Sequence, residues 1–218
     1  MKSLFKLIPM GMALSCCISA NASEKVDLTG SIDVVSQYIS RGLTNSPEND
    51  QVAMQATLSL SYEKFYFFYW GSTINYSFRE IQAGKSYSSD KFEHDLGIGY
   101  SFDLGDLNIN VWDAFYYYTG GKNTTSNELG VTFTKPVSES DELSIGLSTY
   151  LYDVVYMNQW DTYFQIGYTH AFNDKFSASF NTGFSYFNDE GKYEGDLFLD
   201  TQSDFAFRFS TAQLFSPS

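Results

Sequence analysis

Residues 63–78 read EKFYFFYWGSTINYSF. Aromatic side chains follow one another without a break from Phe65 to Trp70, with Ser72, Thr73 and Asn75 close behind. A water-soluble strand buries alternate members of such a run and leaves the others in water. A buried helix is disfavoured, because aromatics and Thr are poor helix formers and Gly71 interrupts the run. A strand in the wall of a membrane barrel accommodates rings on both faces. Those on one face meet lipid, and those on the other pack across a narrow interior.

The flanking sequence carries the same period of two. Val52, Met54, Ala56, Leu58, Leu60 and Tyr62 alternate with Gln51, Gln55, Thr57, Ser59 and Ser61. Phe92, Leu96, Ile98 and Tyr100 alternate with Glu93, Asp95, Gly97 and Gly99, and Phe205, Phe207 and Phe209 alternate with Asp204, Arg208 and Ser210. Such alternation marks strands with one apolar and one polar face. Roughly ten strands are expected, at 26–41, 51–62, 65–77, 91–102, 107–118, 127–135, 142–153, 160–172, 175–187 and 203–215. Most exceed the five or six residues or so typical of soluble strands and approach the roughly ten that a tilted spanning strand needs.

The connections alternate as well. Glu63-Lys64, Asp103-Leu104-Gly105-Asp106, the turn around Pro136 and Asn173-Asp174 are short, whereas 78–90 and 188–202 are longer and polar. Short turns at one end and longer loops at the other fit an outer-membrane barrel. The alternative is a soluble sandwich, whose core would favour Val, Ile and Leu over the Phe and Tyr found here. The expected fold is all-β, a transmembrane antiparallel up-and-down barrel of about ten strands.

The N-terminus agrees with that compartment. Lys2 and Lys6 precede an apolar stretch, Leu7 to Ile18, and Ala20-Asn21-Ala22 has the form of a cleavage site. Residues 1–22 are therefore read as a signal peptide and 23–218 as the barrel. Cys16 and Cys17 both fall in the leader, so the processed chain needs no disulfide and offers no thiolate metal site. The formal charge is −13, and loss of Lys2 and Lys6 makes the remainder more acidic, which excludes a nucleic-acid partner.

The two faces of the Phe65 strand are assigned by its polar end. Tyr66, Phe68, Trp70, Ile74 and Tyr76 are placed outward, and Phe65, Phe67, Tyr69, Gly71, Thr73 and Asn75 inward. A strict two-residue turn at Glu63-Lys64 reverses that assignment, whereas a three-residue turn with a bulge keeps it.

Residues 36–75 hold a further pattern. Ser36-Gln37-Tyr38-Ile39-Ser40-Arg41-Gly42-Leu43-Thr44 is followed by Pro47, Gln51 to Gln55, Phe65-Tyr66 and Trp70-Gly71-Ser72. This resembles the S-x-Y-x-x-R-G-x-[ST] … Q … F-Y … W-G-S pattern of a family of proteobacterial secreted proteins. Its members are labelled conserved hypothetical proteins or TorF-type porins. The shared positions are Ser36, Tyr38, Arg41, Gly42, Gln55, Tyr66, Trp70, Gly71 and Ser72. Family members often have small residues between the Tyr and Trp of the third strand, where this chain has Phe67, Phe68 and Tyr69. The resemblance implies the outer membrane of a Gram-negative bacterium. Lipid and lipopolysaccharide are then neighbours, and periplasmic chaperones and the barrel-insertion machinery are partners in biogenesis.

A catalytic site is not expected. His94 shares its phase with Phe92, Leu96 and Ile98, and His170 with Tyr168 and Phe172, so both read as interfacial anchors. Neither a nucleophile motif nor metal-ligand spacing accompanies them, and no cofactor is implied. Asn188-Asp189-Glu190-Gly191 and Glu194-Gly195-Asp196 are acidic but lack the spacing of a calcium loop. Arg41 and Arg208 fall on polar phases of the first and last strands, with Asp33, Glu93, Asp95, Asp113 and Glu128 as candidate lumen partners. The expected function is a narrow, monomeric, cation-preferring channel for small solutes, with a filled or constricted interior at this strand number. The alternative is a non-conducting barrel whose outer loops bind a partner, divalent cations or lipopolysaccharide.

Overall fold

The computed structural model describes residues 14–23, 26–41, 51–85, 87–173, 176–193 and 205–214, with the side chains of those from 26 to 193. The strands are β1 (Leu14–Ser23), β2 (Val26–Val35), β3 (Ala53–Tyr62), β4 (Phe65–Thr73), β5 (Phe92–Leu104) and β6 (Leu107–Tyr118). They continue as β7 (Ser126–Pro136), β8 (Asp141–Tyr150), β9 (Thr162–Asn173), β10 (Phe176–Tyr186) and β11 (Phe205–Leu214). They form one antiparallel meander in sequence order. Helix is confined to a short turn of α-helix, α1 (Phe78–Ala83), and a 3₁₀ turn at Ser88–Asp90.

The sheet has eleven strands where the alternation gives ten. The addition is β1, which covers much of the expected leader and pairs from Leu14↔Val34 to Ser23↔Val26. Three strands stop short of the expected ends: β2 at Val35, β4 at Thr73 and β8 at Tyr150. In each case the chain turns off the wall at the loop end, so polar alternation continues in sequence after the ladder has ended.

One face of the wall is apolar and exposed. Leu58, Leu60, Leu96, Ile98, Leu143, Ile145, Leu147, Phe164, Ile166 and Phe180 all lie on it with more than a third of their surface open. The opposite face buries Ser72, Glu93, Asp95, Ser126, Glu128, Ser148 and Ser185. This inverts the usual soluble distribution.

The register corrects the sequence reading of the aromatic run. Tyr62 pairs with Phe65, so Glu63-Lys64 is a strict two-residue turn. Glu63 has φ 54°, the positive value such a tight turn requires. Phe65 and Phe67 are therefore outward, each about half exposed (50% and 53%). Tyr66, Phe68 and Trp70 take the inward phase. Tyr66 donates to Asn110 (2.9 Å), and Trp70 meets Tyr38 edge-on at 5.8 Å.

Inward rings lie over glycines of the neighbouring strand. A Cβ at Gly97 would stand 2.1 Å from the Phe68 ring, and one at Gly99 2.1 Å from Tyr66. The same arrangement pairs Trp112 with Gly130 and Tyr163 with Gly183. Gly146 differs, because a Cβ there meets nothing closer than 3.7 Å. Gly97→Val should therefore lower unfolding stability by about 1–3 kcal/mol, as overpacked sites do. Gly146→Ala should change it little. Urea unfolding followed by tryptophan fluorescence checks the pair, and equal midpoints would refute this account of the packing.

The sheet curls on itself. Arg41 ends the segment 36–41 that follows β2, and it reaches Glu128 on β7, Ser148 on β8 and the ring of Tyr163 on β9. In a flat sheet β2 and β7 would stand roughly 24 Å apart, at about 4.8 Å per strand. Among the described residues there is no ladder between the first and last strands.

Candidate functional site inside the curled sheet

The interior is assembled from the polar phases of β4 to β9 and from segment 36–41, which leaves the wall after β2. Arg41 has φ 51°. It pairs with Glu128, which is fully buried, and donates to the Ser148 hydroxyl at 3.4 Å. Its guanidinium lies 4.6 Å from the Tyr163 ring centroid. Glu128 accepts a second bond from the Tyr116 hydroxyl at 2.6 Å. A buried carboxylate thus gains a guanidinium and a phenol, the pairing that offsets loss of water.

Next to this lies a second carboxylate pair. Glu93 accepts from Tyr118 at 2.6 Å. Asp95 is 9% exposed, and its Oδ1 is buried without a hydrogen-bond partner among the described residues. The ladder sets Asp95 between Trp70 on β4 and Tyr116 on β6.

Above the carboxylates sits an aromatic roof. Phe78, at the start of α1, is buried with Ile74, Tyr118 and Val155, and Tyr38, Tyr76, Tyr116, Tyr156 and Tyr193 pack around them. The Phe78 ring is 4.8 Å from Tyr118 and 5.5 Å from Tyr156. Ser77 caps α1 by accepting from Glu80 N at 3.2 Å, and Gly84 ends it with φ 66°. Arg79 bridges to Asp90 at 3.0 Å, and Gln82 exchanges bonds with the Lys122 backbone at 2.8 and 3.0 Å.

The expected site residues divide as follows. Arg41, Glu93, Asp95 and Glu128 converge on the interior. Asp33 has the inward phase of β2 and accepts from Ser31 at 3.0 Å. Arg208 pairs with Gly183 by backbone register, an inward position, and its side chain lies outside the described set. Asp113 does not belong with them. It pairs with Ile98 and Leu129, both exposed on the apolar face, and accepts from Asn127 at 2.9 Å. Leu107, Ile109 and Val111 share its phase, and Asn108 and Asn110 mark the other, so alternation within β6 assigns Asp113 outward.

Of the motif positions, Tyr38, Arg41, Tyr66, Trp70 and Ser72 line the interior, with Gln55 opposite Ser72 on β3. Gly71 carries the outward phase, beside His94 in the ladder. Ser36 begins the inward-turning segment, and Gly42 and Glu194-Gly195-Asp196 lie outside the described residues. Tyr116, Tyr118, Ser148, Tyr163 and Phe78 were not singled out from sequence. The first two share the phase of Asn108 and Asn110, and Tyr163 that of Gln165, so alternation carried a signal for them.

Both histidines lie on the outward phase. His94 bonds Tyr69 at 2.9 Å and packs 4.6 Å from Phe92. His170 bonds Asp141 at 2.8 Å, and Tyr168 donates to the same carboxylate at 2.5 Å. The Ser138 hydroxyl is directed to Asp141 rather than to the imidazole. At the same end Lys135 donates to Asp106 at 3.2 Å and holds its carboxyl below the ordinary carboxylate range. Among the described residues no three acidic, histidine or cysteine side chains converge as a metal site, and no helix is long and apolar enough to cross a membrane.

The model of a bacterial family of unknown function, Gcw_chp, matches residues 19–215. The chain belongs to this family. The Gcw_chp match runs from the end of the expected leader through β11, so it takes in the curled wall, segment 36–41 and the roof together. No curated protein matches the chain.

Proposed function

We propose that residues 23–218, freed of residues 1–22, close into a ten-stranded barrel in the outer membrane of a Gram-negative bacterium. In that state the protein is a monomeric, narrow, cation-preferring channel for small solutes. The observation that carries this reading is the inverted wall, with exposed Leu, Ile and Phe on one face and buried carboxylates on the other. Strands of nine to thirteen residues match the span that a tilted strand must cover. Removal of the leader would also take β1 away from β2, leaving β2 and β11 as free edges able to pair. Ten strands would then place both termini at the short-turn end.

Glu93, Asp95 and Glu128 outnumber Arg41 among the described charged residues inside the curled sheet, and a narrow low-dielectric passage magnifies such a bias. Purified protein should show heat-modifiable gel mobility and, in planar bilayers under a salt gradient, a reversal potential of cation-selective sign that weakens with added salt. A soluble, monodisperse product in the periplasm would overturn the barrel, and an anion-selective sign would overturn the lumen assignment. The roof around Phe78 favours a second reading, a non-conducting barrel whose loops bind a partner, divalent cations or lipopolysaccharide. Silent bilayers with intact heat modifiability would select it.

A further inference from the structure

Among the described residues three carboxylates, Glu93, Asp95 and Glu128, are buried inside the curled sheet, and two of them are satisfied. Glu128 holds Arg41 and Tyr116, and Glu93 accepts from Tyr118. Asp95 is the exception, nine-tenths buried with Oδ1 unpartnered among the described residues. A carboxylate left in that condition is costly unless a proton or another positive group joins it.

The surroundings of Asp95 narrow the identity of that group. The ladder places Trp70 on one side and Tyr116 on the other, at cross-strand separations where side chains touch. The Tyr38 ring meets Trp70 at 5.8 Å and 61°. A carboxylate walled by Trp and Tyr rings suits an organic ammonium, whose charge goes to the carboxylate and whose polarised C–H groups go to ring faces. A divalent metal would require several oxygen ligands, and no three acidic groups converge here among the described residues. Arg41 cannot supply the charge while it remains on Glu128.

We propose that Asp95, with the rings of Trp70, Tyr116 and Tyr38, forms a binding site for a small organic ammonium ion inside the sheet. The proposal deepens the channel reading and rests on the inward face being a lumen.

Methylammonium chloride is the probe, titrated at constant ionic strength against sodium chloride. The sample is processed protein in detergent that has passed the heat-modifiability test, so that failure of the barrel reads out separately. Trp70 is one of three tryptophans, and its fluorescence reports on the site. A saturable change is expected, with affinity reduced about tenfold in Asp95→Asn. Asp113→Asn, on the outward face, should leave the titration unchanged. An absent response in the wild type would overturn the proposal without recourse to any variant. So would an equal response to potassium, which would indicate a site for charge alone. Undiminished binding by heat-modifiable Asp95→Asn would do the same.

Discussion

Arg41→Ala should be the most damaging single substitution in the interior, costing about 3–5 kcal/mol, the range for removing one partner of a buried ion pair. The cost arises at Glu128, which has no solvent exposure and would retain only the Tyr116 hydroxyl. Arg41 also holds segment 36–41 against β8 and β9 through Ser148 and Tyr163, so the strap after β2 would lose its anchor. Arg41→Lys should recover only part of the loss, because an ammonium has no planar fork for the carboxylate and stacks less well on a ring. Glu128→Gln in the Arg41→Ala background should restore stability by removing the uncompensated charge. Unfolding midpoints in urea for the four proteins test this. A double variant no more stable than Arg41→Ala would place the loss in the strap and not at Glu128.

Much of this architecture is legible in the sequence, because period-two alternation and turn chemistry act locally. The ladders Leu107–Tyr118 and Phe176–Tyr186 lie within a residue of the expected 107–118 and 175–187. The facing of β4 was not legible from polarity, since Phe65 to Trp70 are aromatic on both phases. Only the turn decides it, and Glu63 at φ 54° is a non-glycine in a conformation that sequence gives little reason to expect. Asp113 shows the opposite case. Its charge suggested the interior, but the phase of Leu107, Ile109 and Val111 had already fixed it on the apolar face, where Asn127 receives it.

The roof was the least legible part, because it depends on contacts across the curl. Residues 78–90 read as a polar loop, yet Phe78 is only 4% exposed. Nothing local distinguishes a Phe at a loop margin from one inserted among Tyr118 and Tyr156. The same curl brings Arg41 to Glu128, which are 87 residues apart in sequence.

The roof also separates the two functional readings. Replacing residues 78–90 with a short Gly-Ser connection should raise bilayer conductance several-fold if the interior is a passage, since loops folded into a barrel govern its opening. Phe78 packs among Ile74, Tyr118 and Val155, and Arg79–Asp90 and Gln82–Lys122 fasten its segment to the neighbouring loops. Phe78→Ala alone should cost about 3–5 kcal/mol of local packing and produce a smaller, noisier increase, because the fastenings persist. Arg79→Ala should act in the same direction, because it leaves the buried Asp90 carboxylate without its cation and with the Tyr87 backbone amide as donor. All three variants keep the wall, so heat-modifiable mobility should be retained throughout. If the Gly-Ser variant stays silent while its mobility remains heat-modifiable, the tyrosine and carboxylate layer beneath the roof closes the interior by itself. The channel reading would then fail in favour of a binding barrel.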